Sequence, residues 1–284
     1  MKQLWLCVLV ACGGTNGGDD GVGPDAPGGG DACTLVAATS PSGRTTPSGC
    51  QILDRDTSSC KAAREAAGLS GVWLKFSCRV DLTMASSAVT AASDGQPDFK
   101  SNYFAATSPC HEAYTGGTQN PNTIAAKTYT VGFPLQPNTL ARTMQMTAVV
   151  GLAINGVPIY GNFAAPGDDI FNEAKTFDRC GGHPQMAGFY HNHAEPLSIS
   201  YDDDHVIGVM RDGYAIYGRK DLDGSYPALD SFGGHTGVTP DSPTAVYHYH
   251  VNEQTSTASG TAGQKQWFLT TGMFRGSPGT CTGC

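Results

Sequence analysis

Apolar positions fall in short bursts along this chain, punctuated by clusters of Gly, Pro, Asn and Asp. Gly71–Phe76, Lys127–Val131 and Thr143–Ile154 are such runs, rich in Val, Ile, Thr, Tyr and Phe. Runs of this length with this punctuation predict β-strands, and their recurrence predicts a mainly β domain, sandwich or barrel-like, with little helix. One segment differs. Cys60-Lys-Ala-Ala-Arg-Glu-Ala-Ala67 is made of helix formers, with Ser58 or Ser59 available as a cap and Gly68 as a stop. Residues 13–31 carry almost nothing apolar, so they predict a flexible tether that cannot offset its ordering entropy by burial. The apolar run Leu4–Ala11, following Lys2, is too short to span a bilayer and has the length of a signal-peptide core.

The chain repeats itself. Gly151-Leu-Ala-Ile-Asn-Gly-Val-Pro-Ile-Tyr-Gly161 returns 57 residues later as Gly208-Val-Met-Arg-Asp-Gly-Tyr-Ala-Ile-Tyr-Gly218. Asn155-Gly156 and Asp212-Gly213 between apolar runs predict two hairpins with type I′ turns. Each hairpin is followed by Gly-Gly-His, ending at His183 and His235, and then by a His-x-His pair, His191/His193 and His248/His250. The pairs keep the 57-residue offset, whereas the Gly-Gly-His offset is 52. The pattern predicts a tandem duplication of a hairpin-plus-HxH unit with three histidines per copy.

Residues i and i+2 of a strand share a face, which puts His191 with His193 and His248 with His250, each pair about 7 Å apart at Cα. Two such imidazoles can converge on one metal, with His183 and His235 supplied by glycine-rich loops as third ligands. Imidazole sets suit copper or zinc, and the Irving–Williams order favours Cu(II). The six histidines predict either two three-His sites or one site shared between the copies. Strand alternation puts Glu195 on the histidine face of the first copy, making it the candidate proton acceptor if the site is catalytic. The second copy has Asn252 there, so it is expected to be the more purely imidazole site. Weaker groupings are Asp202-Asp-Asp-His205, read as a solvated turn, and Asp221-Leu-Asp-Gly-Ser225, a calcium-loop fragment also read as a turn. His111 stands alone. No phosphate loop, dinucleotide fingerprint, GxSxG elbow or HExxH helix occurs.

Composition narrows the function classes. The net charge of −8 over 284 residues excludes the basic footprint of a nucleic-acid binder. Leu9-Val-Ala-Cys12 resembles a bacterial lipobox, which implies lipidation of Cys12 and a membrane anchor, and Gly13 after it implies the outer membrane. Setting aside Cys7 and Cys12 leaves Cys33, Cys50, Cys60, Cys78, Cys110, Cys180, Cys281 and Cys284. An even set in an exported chain predicts four disulfides, with a structural bond for Cys281-Thr-Gly-Cys284. The expected organisation is a signal peptide over 1–11, a linker over 12–32, a small cysteine-containing segment over 33–71 and one domain over 72–284.

Tyr247-His-Tyr-His250, downstream of Asp212-Gly-Tyr-Ala-Ile-Tyr-Gly218, Leu229-Asp230 and a Gly-Gly-His, resembles the YHYH domain family. Asn155-Gly-Val-Pro-Ile-Tyr160 and Ser93-Asp-Gly-Gln-Pro-Asp98 also resemble its segments, whereas Phe99 stands where that pattern often has His. The resemblance implies a secreted or surface-associated protein of no settled biochemical activity. Three functions follow from the residues: an envelope lipoprotein binding copper or zinc, a metal-dependent hydrolytic or oxidative enzyme, and a non-catalytic surface module contacting a protein or glycan.

Overall fold

The computed structural model describes residues 49–284 apart from 54, 114–117, 140–143, 147 and 166–167. The signal peptide expected over 1–11, Cys12, the linker over 12–32 and Cys33 lie outside the described residues. The chain is mainly β. The strands are β1 (Asp81–Met84), β2 (Ala88–Ser93), β3 (Tyr129–Pro134), β4 (Met144–Gln145), β5 (Val149–Ala153) and β6 (Pro158–Tyr160). There follow β7 (Gly182–Pro184), β8 (Tyr190–Asn192), β9 (Val206–Met210), β10 (Ala215–Tyr217), β11 (Gly234–Thr239) and β12 (Ser242–His250). Last come β13 (Asn252–Thr255), β14 (Lys265–Phe268), β15 (Met273–Phe274) and β16 (Cys281–Thr282). Helices are short, α1 (Lys61–Ala66) and α2 (Ile170–Glu173), and none of the described helices is long and apolar enough to cross a membrane.

Two sheets face one another over one core. A four-stranded sheet, β1-β2-β3-β16, contributes Ala91, Val131 and Phe133, and an eight-stranded sheet contributes Val149, Leu152, Val209, Met210 and Ile216. The architecture is sandwich-like and neither sheet closes into a barrel.

The larger sheet has the order β11-β12-β10-β9-β5-β6-β8-β7, which reads as one four-strand unit and its copy joined at the β5–β9 pair. Their antiparallel register is Gly151↔Met210, Leu152↔Val209 and Ala153↔Gly208. With equivalent residues 57 apart, each strand meets its own counterpart, and a local two-fold runs through Leu152 and Val209. Both strands are buried along their length, as expected at the middle of a sheet covered on both faces.

Three local expectations are corrected. The hairpin turns are not type I′: only Gly156 and Gly213, both at φ +89°, are left-handed, while Asn155 and Asp212 are not. Gly156 N–H donates to Ala153 O and Gly213 N–H to Met210 O, each at 2.8 Å, closing three-residue turns of the bulged kind. The run Gly71–Phe76 is not a strand but forms a 3-10 turn over Gly71–Lys75. Trp73 stacks on Phe76 at 5.8 Å and also meets Phe133 at 5.5 Å, and a three-residue repeat puts positions 73 and 76 on one side where a strand would oppose them. The helix after Cys60 is present, but no serine caps it. Asp56 Oδ1 instead accepts from Ser58 N, Ser58 Oγ and Ser59 N, and Cys60, the N-cap, has its sulfur in a disulfide with Cys78.

Cys50–Cys180 and Cys281–Cys284 are also bonded. Cys110 is disulfide-bonded as well. The Cys50–Cys180 bond, the Ile52↔Phe99 bridge and the Arg55–Asp98 ion pair at 2.5 Å fasten the segment after residue 48 to the domain.

Candidate metal centres

In each copy an aspartate organises the Gly-Gly-His turn. Asp178 is fully buried: Oδ1 accepts from Cys180 N at 2.9 Å, Gly182 N at 3.3 Å and the Tyr190 hydroxyl at 2.9 Å, while Oδ2 accepts from Ser101 Oγ at 2.5 Å. Asp230 repeats the arrangement, accepting from Phe232 N, Gly234 N and the Tyr247 hydroxyl. Burial pushes Asp178 up to about 6. The second glycine of each turn must lack a side chain, since a Cβ at Gly182 would lie 2.5 Å from His191 O and 2.6 Å from Tyr190 Oη. At Gly234 it would lie 2.4 Å from His248 O and 2.5 Å from Tyr247 Oη. Sequence reading missed this clamp, although the shared Asp-x-x-Gly-Gly-His spacing and the tyrosine before each HxH carried its signal.

His183 and His235 therefore stand on strands, β7 and β11, and not on loops as expected. They pair directly across the ladder with His191 and His248. Adjoining parallel pairs, β6 with β8 and β10 with β12, bring the carbonyls of Gly161 and Gly218 under the other histidine of each pair. His193 Nδ1 donates to Gly161 O at 2.5 Å and His250 Nδ1 to Gly218 O at 2.7 Å. His191 Nδ1 donates to Phe189 O and His248 Nδ1 to Val246 O, both at 3.0 Å. His183 Nδ1 meets Thr176 Oγ1 at 2.6 Å, and because that hydroxyl donates its own proton to Glu173 O, the imidazole is the donor.

These anchors fix the tautomers of the five histidines that have them: with Nδ1 carrying the proton, each of their Nε2 atoms presents a lone pair. In the first site His183 Nε2 lies 3.1 Å from His191 Nε2, which lies 3.0 Å from His193 Nε2. No proton lies between these atoms, so the contacts are lone pair against lone pair. Three nitrogens at 2.0–2.1 Å from a tetrahedral ion would be about 3.3 Å apart, close to what is seen. Burial holds the histidines neutral, reinforced by neighbouring rings at His183, which is pushed down to about 3, and at His191, which lies well below its ordinary value; burial alone pushes His193 down to about 4.

The six histidines do not form one shared site. The ligand atoms gather in two groups, His183/His191/His193 and Asp221/His235/His248/His250, each within 4.8 Å. The expectation that the second copy is the more purely imidazole site is also corrected. Asp221 Oδ1 lies 3.1 Å from His235 Nε2, 3.3 Å from His250 Nε2 and 3.8 Å from His248 Nε2, and His235 Nε2 is 3.2 Å from His250 Nε2. Burial pushes His250 down to about 4 and lowers His248. In the first site the nearest carboxylate is Glu173, whose Oε1 is 3.5 Å from His183 Nε2; burial and the charge of Asp168 push it up to about 7. Sequence reading passed over Glu173, at the end of α2, and read Asp221 only as part of a turn, because the two carboxylates sit at positions that the duplication does not match.

Glu195, the candidate proton acceptor, is otherwise engaged. Oε1 accepts from Ser200 Oγ at 2.8 Å and Asp202 N at 3.3 Å, and Oε2 is paired with Arg219 at 2.6 Å. β8 ends at Asn192, so strand alternation does not extend to residue 195. Asp202–His205 closes on itself as a turn: Asp203 Oδ1 accepts from Ser200 Oγ and His205 N, and Asp202 pairs with Lys220 at 3.0 Å. Asp221–Ser225 is a turn as well, with Asp221 N donating to Ser225 O at 2.9 Å. His111 Nδ1 contacts Phe104 O at 2.9 Å, apart from either group. Phe99 is buried and meets Tyr190 edge-on at 5.6 Å.

Residues 128–227 match the family model described as YHYH protein. The match holds Tyr190-His-Asn-His193 and the whole first site, and ends before His235, His248 and His250. No curated protein and no solved structure matches the chain.

Proposed function

We propose that this chain is an exported envelope lipoprotein that binds two divalent transition-metal ions, copper or zinc, one in each copy of the duplicated unit. The observation that carries the reading is the set of Nδ1 anchors. In the first site all three imidazoles spend their ring proton on a protein acceptor and turn bare Nε2 atoms toward one point at 3.0–3.1 Å. An arrangement of converging lone pairs is unfavourable by itself and becomes favourable around a cation. The aspartate-clamped turns and the deep burial of the rings support a site held ready for the ion. Paired cysteines suit an oxidising compartment and leave imidazole and carboxylate as the available donors.

Titration of chelator-stripped protein with Zn(II) and Cu(II), read by elemental analysis, tests this. Two equivalents are expected, falling to one in His191→Ala/His193→Ala and to one in His248→Ala/His250→Ala. Binding no greater than in a variant lacking all six histidines overturns the metal reading. In the same preparations Cys12→Ser is expected to leave the detergent phase with its metal content unchanged, and continued partitioning into detergent overturns the anchor.

A further inference from the structure

We infer that the two sites divide the work: the second is the exchangeable site through which the chain takes up and gives up metal, and the first holds its ion as a fixed part of the fold. This rests on the two-metal reading above and concerns what happens to the ions once bound. The sites share their HxH anchoring and differ at the third histidine. His183 is anchored through Thr176, whose hydroxyl is itself tied to Glu173 O at 2.7 Å. Aromatic rings enclose that site: Phe177 lies edge-on to His183 at 5.0 Å and parallel to His193 at 6.1 Å, while Tyr160 lies flat on His191 at 3.9 Å. The side chain of His183 is 3% exposed.

Aligning the two aspartate clamps puts Ala228 and Leu229 at the positions of Thr176 and Phe177. Ala228 has no hydroxyl to offer the His235 ring, and the side chain of His235 is 20% exposed against 3% for its counterpart. The counterpart of Tyr160 is Tyr217, which meets His248 edge-on at 5.3 Å instead of covering it. The carboxylate ligand candidate, Asp221, comes from a turn whose next four residues are exposed. A metal leaves a multidentate site one ligand at a time. The first step is easiest where a ligand can swing toward water without breaking a hydrogen bond at its far side, as His235 can: its polar contacts are with Asp221 and His250, both within the ligand group. Anchoring partners of this kind are worth about 10–100-fold in metal affinity.

The test is zinc release from the two-zinc protein into an excess of a chromogenic chelator. One ion is expected to leave in a fast phase and the other at least about tenfold more slowly. His235→Ala is expected to remove the fast phase and leave the slow one. The exchange A228T/L229F, at half-exposed or exposed positions, is expected to slow the fast phase about tenfold. The converse T176A/F177L is expected to speed the slow phase; if circular dichroism shows that this core variant is unfolded, A228T/L229F decides alone. Release of both ions in one phase overturns the division, as does survival of the fast phase in His235→Ala or an unchanged fast rate in A228T/L229F. Failure of the wild type to take up zinc at all is a different result and overturns the two-metal reading instead.

Discussion

A buried histidine with its Nδ1 tied to a carbonyl has one state left to it, neutral with a bare Nε2, and the pH behaviour follows. His193 titrates at about 4 in the fold against an ordinary 6.5. Between those values the unfolded chain binds the extra proton and the folded chain does not, so the contribution of this group to stability is full above about 6.5 and is lost as pH falls toward about 4. Carboxylates raised by burial, Asp178 and Glu173 among them, act in the opposite sense, so the effect of the histidine, together with the response of His183 and His191 to its loss, is read by difference. In urea denaturation of the metal-free protein, the stability of wild type relative to His193→Gln is expected to fall across that window by up to about 1.4 kcal/mol per pH unit. A difference independent of pH would show that this ring is already protonated in the fold.

At the scale of strands and turns, each site depends on its own Asp-x-x-Gly-Gly-His turn. Gly234→Ala would drive a methyl group into His248 O and the Tyr247 hydroxyl, parting β11 from β12 where His235 pairs with His248. The expected result is one bound metal in place of two, measured by elemental analysis, with the first site intact. The duplication, the hairpins and the shared face of each HxH pair were legible in the sequence because they rest on local rules: two-residue alternation and turn-forming glycines. The turn type was not, because Asn155 and Asp212 tolerate either conformation, and their side chains are used elsewhere, on Asp98 and with Tyr249. Trp73 gave a strand signal because β-propensity counts aromatic residues, whereas contact with Phe76 and Phe133 decided its backbone. Asp221 and Glu173 were hidden for a different reason: one lies in a turn and the other at the end of α2, at unequal spacing from the histidines, and only tertiary structure brings them together.

For the molecule as a whole the decisive feature is the β5–β9 seam. Gly151 and Gly208 are equivalent residues on either side of the two-fold, and both are hemmed in by the partner strand. A Cβ at Gly208 would lie 2.2 Å from Leu152 O and one at Gly151 would lie 2.8 Å from Val209 O. Gly208→Ala is therefore expected to cost about 3 kcal/mol or more in chemical denaturation and to weaken metal retention in both copies together, unlike the one-sided loss in Gly234→Ala. Retention of full stability would show that the seam can spread without penalty.

A surface that meets its own counterpart across a two-fold is the interface of a symmetric dimer, here joined in one polypeptide. In a dimer of separate chains, dilution would part the halves by mass action, and any substitution near one ion would be imposed on the other. Joining them removes both constraints. Dilution cannot separate the halves, and Thr176 and Phe177 can persist on one side while Ala228 and Leu229 stand on the other. Two sites that began from one plan are thereby free to specialise, each with the whole sheet as its support.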